Sequence, residues 1–131
     1  MVKALETSSN LFGTTTNPHN TKLTPGGSSG GEGALIAMRG SALGVGTDIG
    51  EHLFCRIWVI GVLTSCLLGG SIRVPSGFSG VYGLKPSIAR LPHGGLAGVH
   101  GGMENILGVV GPMATCSEDL KLFCKVRSPF T

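Results

Sequence analysis

Charged and aromatic side chains are both scarce in this 131-residue chain, at 13% and 5% of residues. Its ten Lys and Arg residues are scattered and give a net charge of +3. No aromatic residues alternate with them, so the sequence lacks the basic, aromatic surface typical of nucleic-acid binding. Hydrophobic residues make up 41%, and the mean hydropathy is +0.32. A small free-standing domain has much surface for its volume and needs more polar residues than this, so the composition favours part of a larger protein.

The sequence also lacks any group of residues with metal-ligand spacing. Its four cysteines contain no CxxC pair, which argues against a zinc site and against a disulfide framework. The histidines in Pro- and Gly-rich segments have no ligand spacing either, so neither a metal nor a cofactor is expected. These residues are Cys55, Cys66, Cys116 and Cys124, and His19, His93 and His100. The N-terminus lacks the apolar core of a signal peptide, and a cytoplasmic location is the default expectation.

Glycine is abundant instead, with 23 residues clustered between apolar segments, which indicates tight turns and close backbone approaches. Residues 7–27 are rich in Ser, Thr, Asn, Pro and Gly and are predicted to form a loop. Residues 34–38 predict a helix that stops at Gly40; because it is apolar nearly all round, we expect it to be buried. Residues 42–50 predict a buried strand that leads into a turn.

The second half of the chain predicts a similar alternation of short elements. Residues 71–87 predict a short element broken by Pro75, and residues 107–114 a brief strand. Residues 115–126 predict a helix with Thr115 or Ser117 as its N-cap and two acidic residues in its first turn. Its apolar face consists of Leu120, Phe123 and Cys124. Alternating short strands and helices indicate an α/β fold.

One apolar block, residues 53–69, differs in character from everything around it. Arg56 interrupts the block, and the uncharged stretch from residue 57 to residue 70 has only 14 residues. A membrane-spanning helix needs about 18 or more apolar residues, so a span is not the favoured interpretation. An apolar anchor in an otherwise non-catalytic protein remains the alternative.

Deleting residues 51–69 reveals a second motif. The deletion removes 19 residues and produces GTDIGGSIR, downstream of TPGGSSGGEGALIA. Together these motifs resemble the amidase-signature family, serine hydrolases that cleave carboxylic amides, and are most similar to its fungal acetamidases and fatty-acid amide hydrolases. The deletion also shortens the separation of Ser28 and Ser71 from 43 to 24 positions, the spacing found in that family.

The length of the block suggests an origin. Its 19 codons are 57 nucleotides, and degenerate codons at Gly50–Glu51, Leu63–Thr64 and Leu68–Gly69 permit an in-frame splice donor, branch point and acceptor. Splicing there would fuse Gly50 and Gly69 into one glycine codon and restore IGGS. The hypothesis is therefore a translated, unspliced intron within a partial amidase domain spanning residues 1–131. A natural loop insertion is the other interpretation.

The resemblance implies an α/β/α fold around a mixed sheet and a Ser–Ser–Lys mechanism, acting on a small-molecule amide. It implies that Ser71 is the nucleophile and that Ser28, after a cis peptide bond from Gly27, relays its proton to a lysine. Ser29 would support this loop. A serine hydroxyl is a weak nucleophile until a base takes its proton, and a desolvated lysine can be that base.

The resemblance also implies an oxyanion hole formed by backbone N–H groups of Ile49, Gly50 and Gly70. Glycines leave such N–H groups free to point at one oxygen, and one donor is typically worth about 10²–10³ in rate. Asp48 and Arg73 are expected to brace this loop through charge-assisted hydrogen bonds rather than touch substrate. We expect the GGSS segment and both halves of the glycine loop to lie together in the folded chain.

Two features depart from the family pattern. The family's lysine lies farther upstream of Ser28 than the 27 residues that precede it here, and Lys3 and Lys22 occur in the wrong context. The chain is also far shorter than a full family member, so the resemblance implies a domain truncated at both ends and inactive as written. Without its context, GGSSGG would be read as a flexible linker; it lacks the GK[ST] ending of a phosphate-binding loop.

Overall fold

A computed structural model of the chain describes residues 5–49, 70–96 and 108–127. Gly50, the apolar block and His100 lie outside the described residues, as do the predictions made for them. In chain order the elements are β1 (Ser8–Ser9), β2 (Gly13–Thr14), α1 (Gly30–Ala37), β3 (Leu43–Ile49), α2 (Arg73–Ser79), β4 (Tyr82–Gly83), β5 (Gly108–Ala114) and α3 (Ser117–Arg127). The predicted α/β class is confirmed.

The described part of the chain contains a three-stranded antiparallel sheet in the order β3–β5–β4. Strand β5 lies in the middle and pairs with all seven residues of β3, from Leu43 opposite Ala114 to Ile49 opposite Gly108. Strand β3 alternates buried and exposed residues along its length. The predicted strand is thus present, but it is buried on one face only. No described element packs on its other face.

Helix α1 follows the Gly/Ser segment as predicted but differs at its end. It stops before Met38, and Arg39, one residue before the predicted stop at Gly40, takes the left-handed conformation (φ 59°). The Gly40 N–H then donates to the Leu35 carbonyl at 2.9 Å and the Arg39 N–H to the Ile36 carbonyl at 2.9 Å, a Schellman closure. Complete burial was wrong: the side chains of Leu35 and Met38 are 45% and 70% exposed.

Helix α2 corrects the prediction that Pro75 breaks its element. Pro75 lies in the first turn of α2, where backbone N–H groups have no intrahelical acceptor, so the missing N–H of proline costs little. The helix ends at Gly80, whose φ of 68° is the left-handed conformation that glycine adopts readily. Chain reversal at Gly80 leads directly into β4.

The remaining elements lie at the two ends of the described chain. Helix α3 begins at Ser117, carries Glu118 and Asp119 in its first turn as predicted, and buries Leu120. Of the two predicted N-cap residues, Ser117 was wrong, because it is already the first helical residue. The segment predicted as a loop contains a missed hairpin of β1 and β2, which the sequence did not reveal because both strands have only two residues.

The core joins three elements that are distant in sequence. Ile36 of α1, Ile72 just before α2 and Met113 of β5 are fully buried against one another, and Val81 packs on them. Burying a large aliphatic side chain contributes about 1.5–3 kcal/mol, so this cluster fixes α1 and α2 on the sheet. In the described residues, no helix is both long enough and apolar enough to cross a membrane.

Candidate active site

The buried face of β3 delivers a carboxylate into the interior. The alternation along this strand buries Gly44, Gly46 and Asp48 while Val45 and Ile49 face outward. Asp48 is fully buried, and an isolated carboxylate there would be strongly disfavoured. Its charge must therefore be satisfied by neighbouring donors.

Among the described residues, four N–H groups donate to Asp48, and these four come from the other side of the apolar block. The backbone N–H of Gly70 donates to Oδ1 at 2.9 Å, and that of Ile72 donates to Oδ2 at 3.2 Å. The Arg73 guanidinium donates from Nε to Oδ2 at 3.1 Å and from Nη2 to Oδ1 at 3.3 Å. This two-pronged contact is the geometry in which arginine binds carboxylate most firmly. Residues 48 and 70–73 thus form one unit.

The same contacts set the protonation of this carboxylate. Burial on its own would raise the pKa of Asp48, but the hydrogen bonds from Arg73, Gly70 and Ile72 and the charge of Arg73 outweigh it. The pKa of Asp48 is consequently held below its ordinary value, and the side chain is ionised at neutral pH.

Ser29 connects the GGSS segment to strand β3 and to the segment of residues 70–73. Its backbone N–H donates to the Ser71 carbonyl at 3.1 Å. Its hydroxyl accepts the Thr47 N–H at 3.2 Å and donates to the Thr47 carbonyl at 3.4 Å. A Cβ at Gly46 would lie 2.9 Å from both the Ser29 hydroxyl and Ile72 Cγ1, so only glycine admits this approach.

The two candidate catalytic serines lie on adjoining segments. The Gly27–Ser28 peptide bond is cis, as the sequence motif predicted. Gly27 is buried, Ser28 is exposed and Ser71 is half-buried, so both serines remain open to solvent. The expectation that the GGSS segment and the described parts of the glycine loop lie together is confirmed by the Ser29–Ser71 contact.

The structure describes two of the three residues of the predicted oxyanion hole, Ile49 and Gly70. Ile49 ends β3 with its side chain 40% exposed, and Gly50 lies outside the described residues. Gly70 has a φ of 124°, a conformation that suits glycine, but its N–H is occupied by the Asp48 carboxylate. In this structure the Gly70 N–H therefore acts as a brace for the loop.

Two residues near the site were missed by the sequence interpretation. The Thr7 hydroxyl donates to the Gly26 carbonyl at 3.0 Å and accepts the Gly30 N–H at 3.0 Å. Asn17 is buried, and its amide donates to the Phe78 carbonyl at 2.8 Å at the end of α2. The Asn17–Pro18 turn signal marks the second position, but nothing in the run of Ser and Thr around Thr7 distinguishes the first.

No lysine in the described residues before Ser28 has a buried setting. Lys22 is exposed in the turn after Asn20, whose side chain accepts the Lys22 N–H at 3.0 Å. Lys3 lies outside the described residues.

Comparison with known sequences finds amidases and amide hydrolases. The family model named Amidase matches residues 2–51 and 68–129, leaving residues 52–67 unmatched. The chain is 48% identical over 118 residues to an acetamidase of Aspergillus oryzae, which covers 90% of this chain and 18% of that protein. It is 47% identical over 112 residues to fatty-acid amide hydrolase 1 of Sus scrofa, covering 86% of this chain and 16% of that protein.

Comparison with solved structures again finds a fatty acid amide hydrolase, together with other hydrolases. A fatty acid amide hydrolase structure superposes with a TM-score of 0.75 at 38% identity, over 95% of this chain and 19% of that chain. A 6-aminohexanoate cyclic dimer hydrolase complexed with substrate superposes with a TM-score of 0.73 at 27% identity, over 98% and 22%. The chain thus spans about a fifth of the length of the curated relatives it matches.

Proposed function

The chain belongs to the amidase family, and on that premise we propose that its site is the serine centre of an enzyme that hydrolyses small-molecule carboxylic amides to an acid and ammonia or an amine. The observation that carries the proposal is the joining of three segments. Asp48 binds Gly70, Ile72 and Arg73, and Ser29 binds Ser71, so both motifs meet at one place.

The proposed reaction starts at Ser71. Its Oγ attacks the amide carbonyl carbon while its proton passes through the Ser28 hydroxyl to a lysine. Collapse of the tetrahedral intermediate breaks the C–N bond, and the leaving nitrogen takes up the proton that the lysine received, through the Ser28 hydroxyl. Water then hydrolyses the acyl-enzyme by the same route in reverse. The half-buried position of Ser71, with a solvent-exposed Ser28, is compatible with substrate entry.

The reaction also needs hydrogen-bond donors that stabilise the negative charge developing on the carbonyl oxygen. We assign that role to the N–H groups of Ile49 and Gly50. The Gly70 N–H, which the sequence placed in the same group, donates to the Asp48 carboxylate in this structure and holds the loop instead. Joining Gly50 directly to Gly70 would close the loop and make these three residues consecutive. Preorganised backbone donors of this kind stabilise a developing oxyanion without reorganisation.

Residues 51–69 are proposed to be an insertion, a translated intron in the first instance, rather than a membrane anchor. Support comes from the family match, which resumes at residue 68 after stopping at residue 51. Further support comes from the 2.9 Å hydrogen bond between Asp48 and Gly70. Three residue steps span up to about 10 Å, so a chain that joins Gly50 to Gly70 can keep this bond.

We propose that the lysine of the mechanism is not among the described residues before Ser28, where Lys22 is exposed. Amide turnover by the 131 residues is therefore expected to be very slow. A small primary amine supplied in solution would stand in for the absent side chain.

The test is labelling by a fluorophosphonate probe, with and without added propylamine. We expect labelling of one serine, identified as Ser71 by peptide mapping, and a labelling rate that rises with the concentration of neutral amine. Ser71→Ala should abolish labelling, and Ser28→Ala should lower its rate and remove the amine dependence. Ser87→Ala, a change at an exposed serine outside the site, is the control. Equal labelling of wild type and Ser71→Ala would refute the proposal.

A further inference from the structure

The Thr7 hydroxyl lies between the two ends of the segment that carries Ser28. It accepts the Gly30 N–H at 3.0 Å, and it lies 3.0 Å from the Gly26 carbonyl and 3.3 Å from the Ser28 carbonyl. A hydroxyl has one proton and can accept two hydrogen bonds. Its proton is therefore shared between two carbonyls of the segment, with the shorter contact to Gly26.

The Thr7 hydroxyl supplies a hydrogen-bond acceptor that the residues of helix α1 do not provide for the Gly30 N–H. The Gly30 N–H is the first of the N–H groups at the start of α1, and such groups have no acceptor within the helix. Ser29 is the N-cap residue, and an N-cap side chain accepts from the second or third helical N–H, not from the first. The Ser29 hydroxyl is in any case bonded to Thr47 of β3 and makes no capping bond. The acceptor for Gly30 must then come from another part of the chain, and Thr7 provides it.

The hairpin of β1 and β2 holds Thr7 in this position. The Thr15 N–H donates to the Thr7 carbonyl at 3.0 Å, directly beyond the pairing of Ser8 with Thr14. The strand residues of the hairpin are exposed, whereas the Thr7 hydroxyl, one residue before β1, bonds to the Ser28 segment.

The glycines of the segment permit this close approach. A Cβ on Gly27 would lie 2.5–2.8 Å from the backbone of Glu6, and a Cβ on Gly30 would collide with the Thr7 hydroxyl. The chain at residues 6 and 7 thus packs directly on the backbone that bears Ser28.

We propose that Thr7 is a positioning residue, whose hydroxyl holds residues 26–30 so that Ser28 stays beside the segment of Ser71. The hydroxyl acts from outside the motif and touches neither substrate nor the reacting atoms. The proposal rests on the proposed function for its catalytic consequence, but the hold on the segment is a property of the folded chain alone.

The experiment compares Thr7→Val, Thr7→Ser and Thr14→Val in the full chain. Valine keeps the shape of threonine without the hydroxyl, and serine keeps the hydroxyl without the methyl group. Thr14 lies on the same hairpin, and its hydroxyl makes only an exposed contact with the Ser8 hydroxyl at 3.3 Å, so Thr14→Val is the matched control. The first measurement is amide hydrogen exchange at Gly30 by NMR, and the second is the rate of fluorophosphonate labelling at Ser71.

We expect exchange at Gly30 to accelerate about tenfold in Thr7→Val, the factor that corresponds to about 1.4 kcal/mol, and labelling to slow by a similar factor. Thr7→Ser should restore both values, and Thr14→Val should leave both unchanged. Unchanged Gly30 exchange in Thr7→Val would overturn the proposal. Equal loss of protection in Thr7→Val and Thr7→Ser would overturn it too, since the hydroxyl would then not be the cause.

The role of Thr7 can be tested even if Thr7→Val does not fold or the wild-type chain does not react with the probe. If Thr7→Val does not fold, Thr7→Cys replaces it, because a thiol is a weaker donor and acceptor than a hydroxyl. Gly30 protection should then be lower in Thr7→Cys than in Thr7→Ser, and equal protection would contradict the proposal. If the wild-type chain does not label, the proposed function fails, while the exchange rates still decide the role of Thr7.

Discussion

Asp48 and Arg73 form a two-pronged ion pair across the apolar block, with N–O distances of 3.1 and 3.3 Å. The carboxylate is fully buried, while the guanidinium side chain is 42% exposed. Two backbone N–H groups also donate to the carboxylate, so the whole set of hydrogen bonds aligns the start of α2 with the end of β3. Changes at either residue should therefore affect stability and the site together.

Asp48→Asn is expected to destabilise the chain by about 2 kcal/mol at neutral pH, because hydrogen bonds to a charged group are each worth about 1.5–3 kcal/mol and one amide oxygen cannot accept all four donors. The pH dependence follows from the lowered pKa of Asp48. A lowered folded-state pKa contributes stability above the ordinary value of 3.8, and this contribution is lost as the pH falls through the folded-state pKa. Denaturant melts of both proteins from pH 7 to pH 2 would show the difference narrowing below pH 3.8; a constant difference would argue against an ionised Asp48.

Arg73→Lys is expected to slow probe labelling of Ser71 severalfold, since an ammonium group cannot make the two parallel N–H contacts of the guanidinium. The free energy of unfolding should fall by only about 1 kcal/mol because the Arg73 side chain is partly solvated. Arg39→Lys, at the exposed end of α1, provides the control for the same change. Identical labelling rates in the two variants would show that the geometry of the fork does not matter.

Gly27→Ala is expected to destabilise the chain by about 1–3 kcal/mol, because its Cβ must displace the Glu6 backbone and such overpacking costs about that much. Gly31→Ala is the control in the next turn, where a Cβ meets nothing within 4 Å. It should instead stabilise helix α1 by about 0.5–1 kcal/mol. Thermal unfolding of both variants distinguishes them; two shifts of the same sign would contradict the close packing of residues 6 and 27.

Deletion of residues 51–69 is expected to preserve the fold and to raise the free energy of unfolding by about 2 kcal/mol, because a loop of this length no longer has to be closed. We also expect faster labelling of Ser71, since Ile49 and Gly50 are then joined directly to Gly70 and Ser71. Circular dichroism, denaturant melts and the labelling assay check these outcomes. A deletion variant that fails to fold would show that the block is an integral part of the domain. Sequencing the transcript across these codons tests the intron hypothesis directly.

Local patterns in the sequence predicted α1, β3, β5 and α3, because each has a clear apolar period or clear end signals. The errors arose where tertiary contacts overrode local preference. Pro75 was predicted to break its element, yet it fits the first turn of α2. Helix α1 was predicted to stop at Gly40, yet the chain already adopts the left-handed conformation at Arg39. The exposed faces of α1 and β3 were likewise unpredictable from composition alone.

The sequence by itself determined the two motifs and the contrast between residues 51–69 and their surroundings, since both depend on residue type and spacing along the chain. The resemblance of these motifs to a known family then implied the candidate serines and the position of the cis peptide bond. Only the tertiary structure decided which groups occupy the N–H donors and carbonyls of the site. The Gly70 N–H binds Asp48 across 22 residues, and the Thr7 hydroxyl binds Gly30 across 23. Such hydrogen bonds depend on distances and angles between segments that are set only when the apolar core has packed, and no periodicity in the sequence records them.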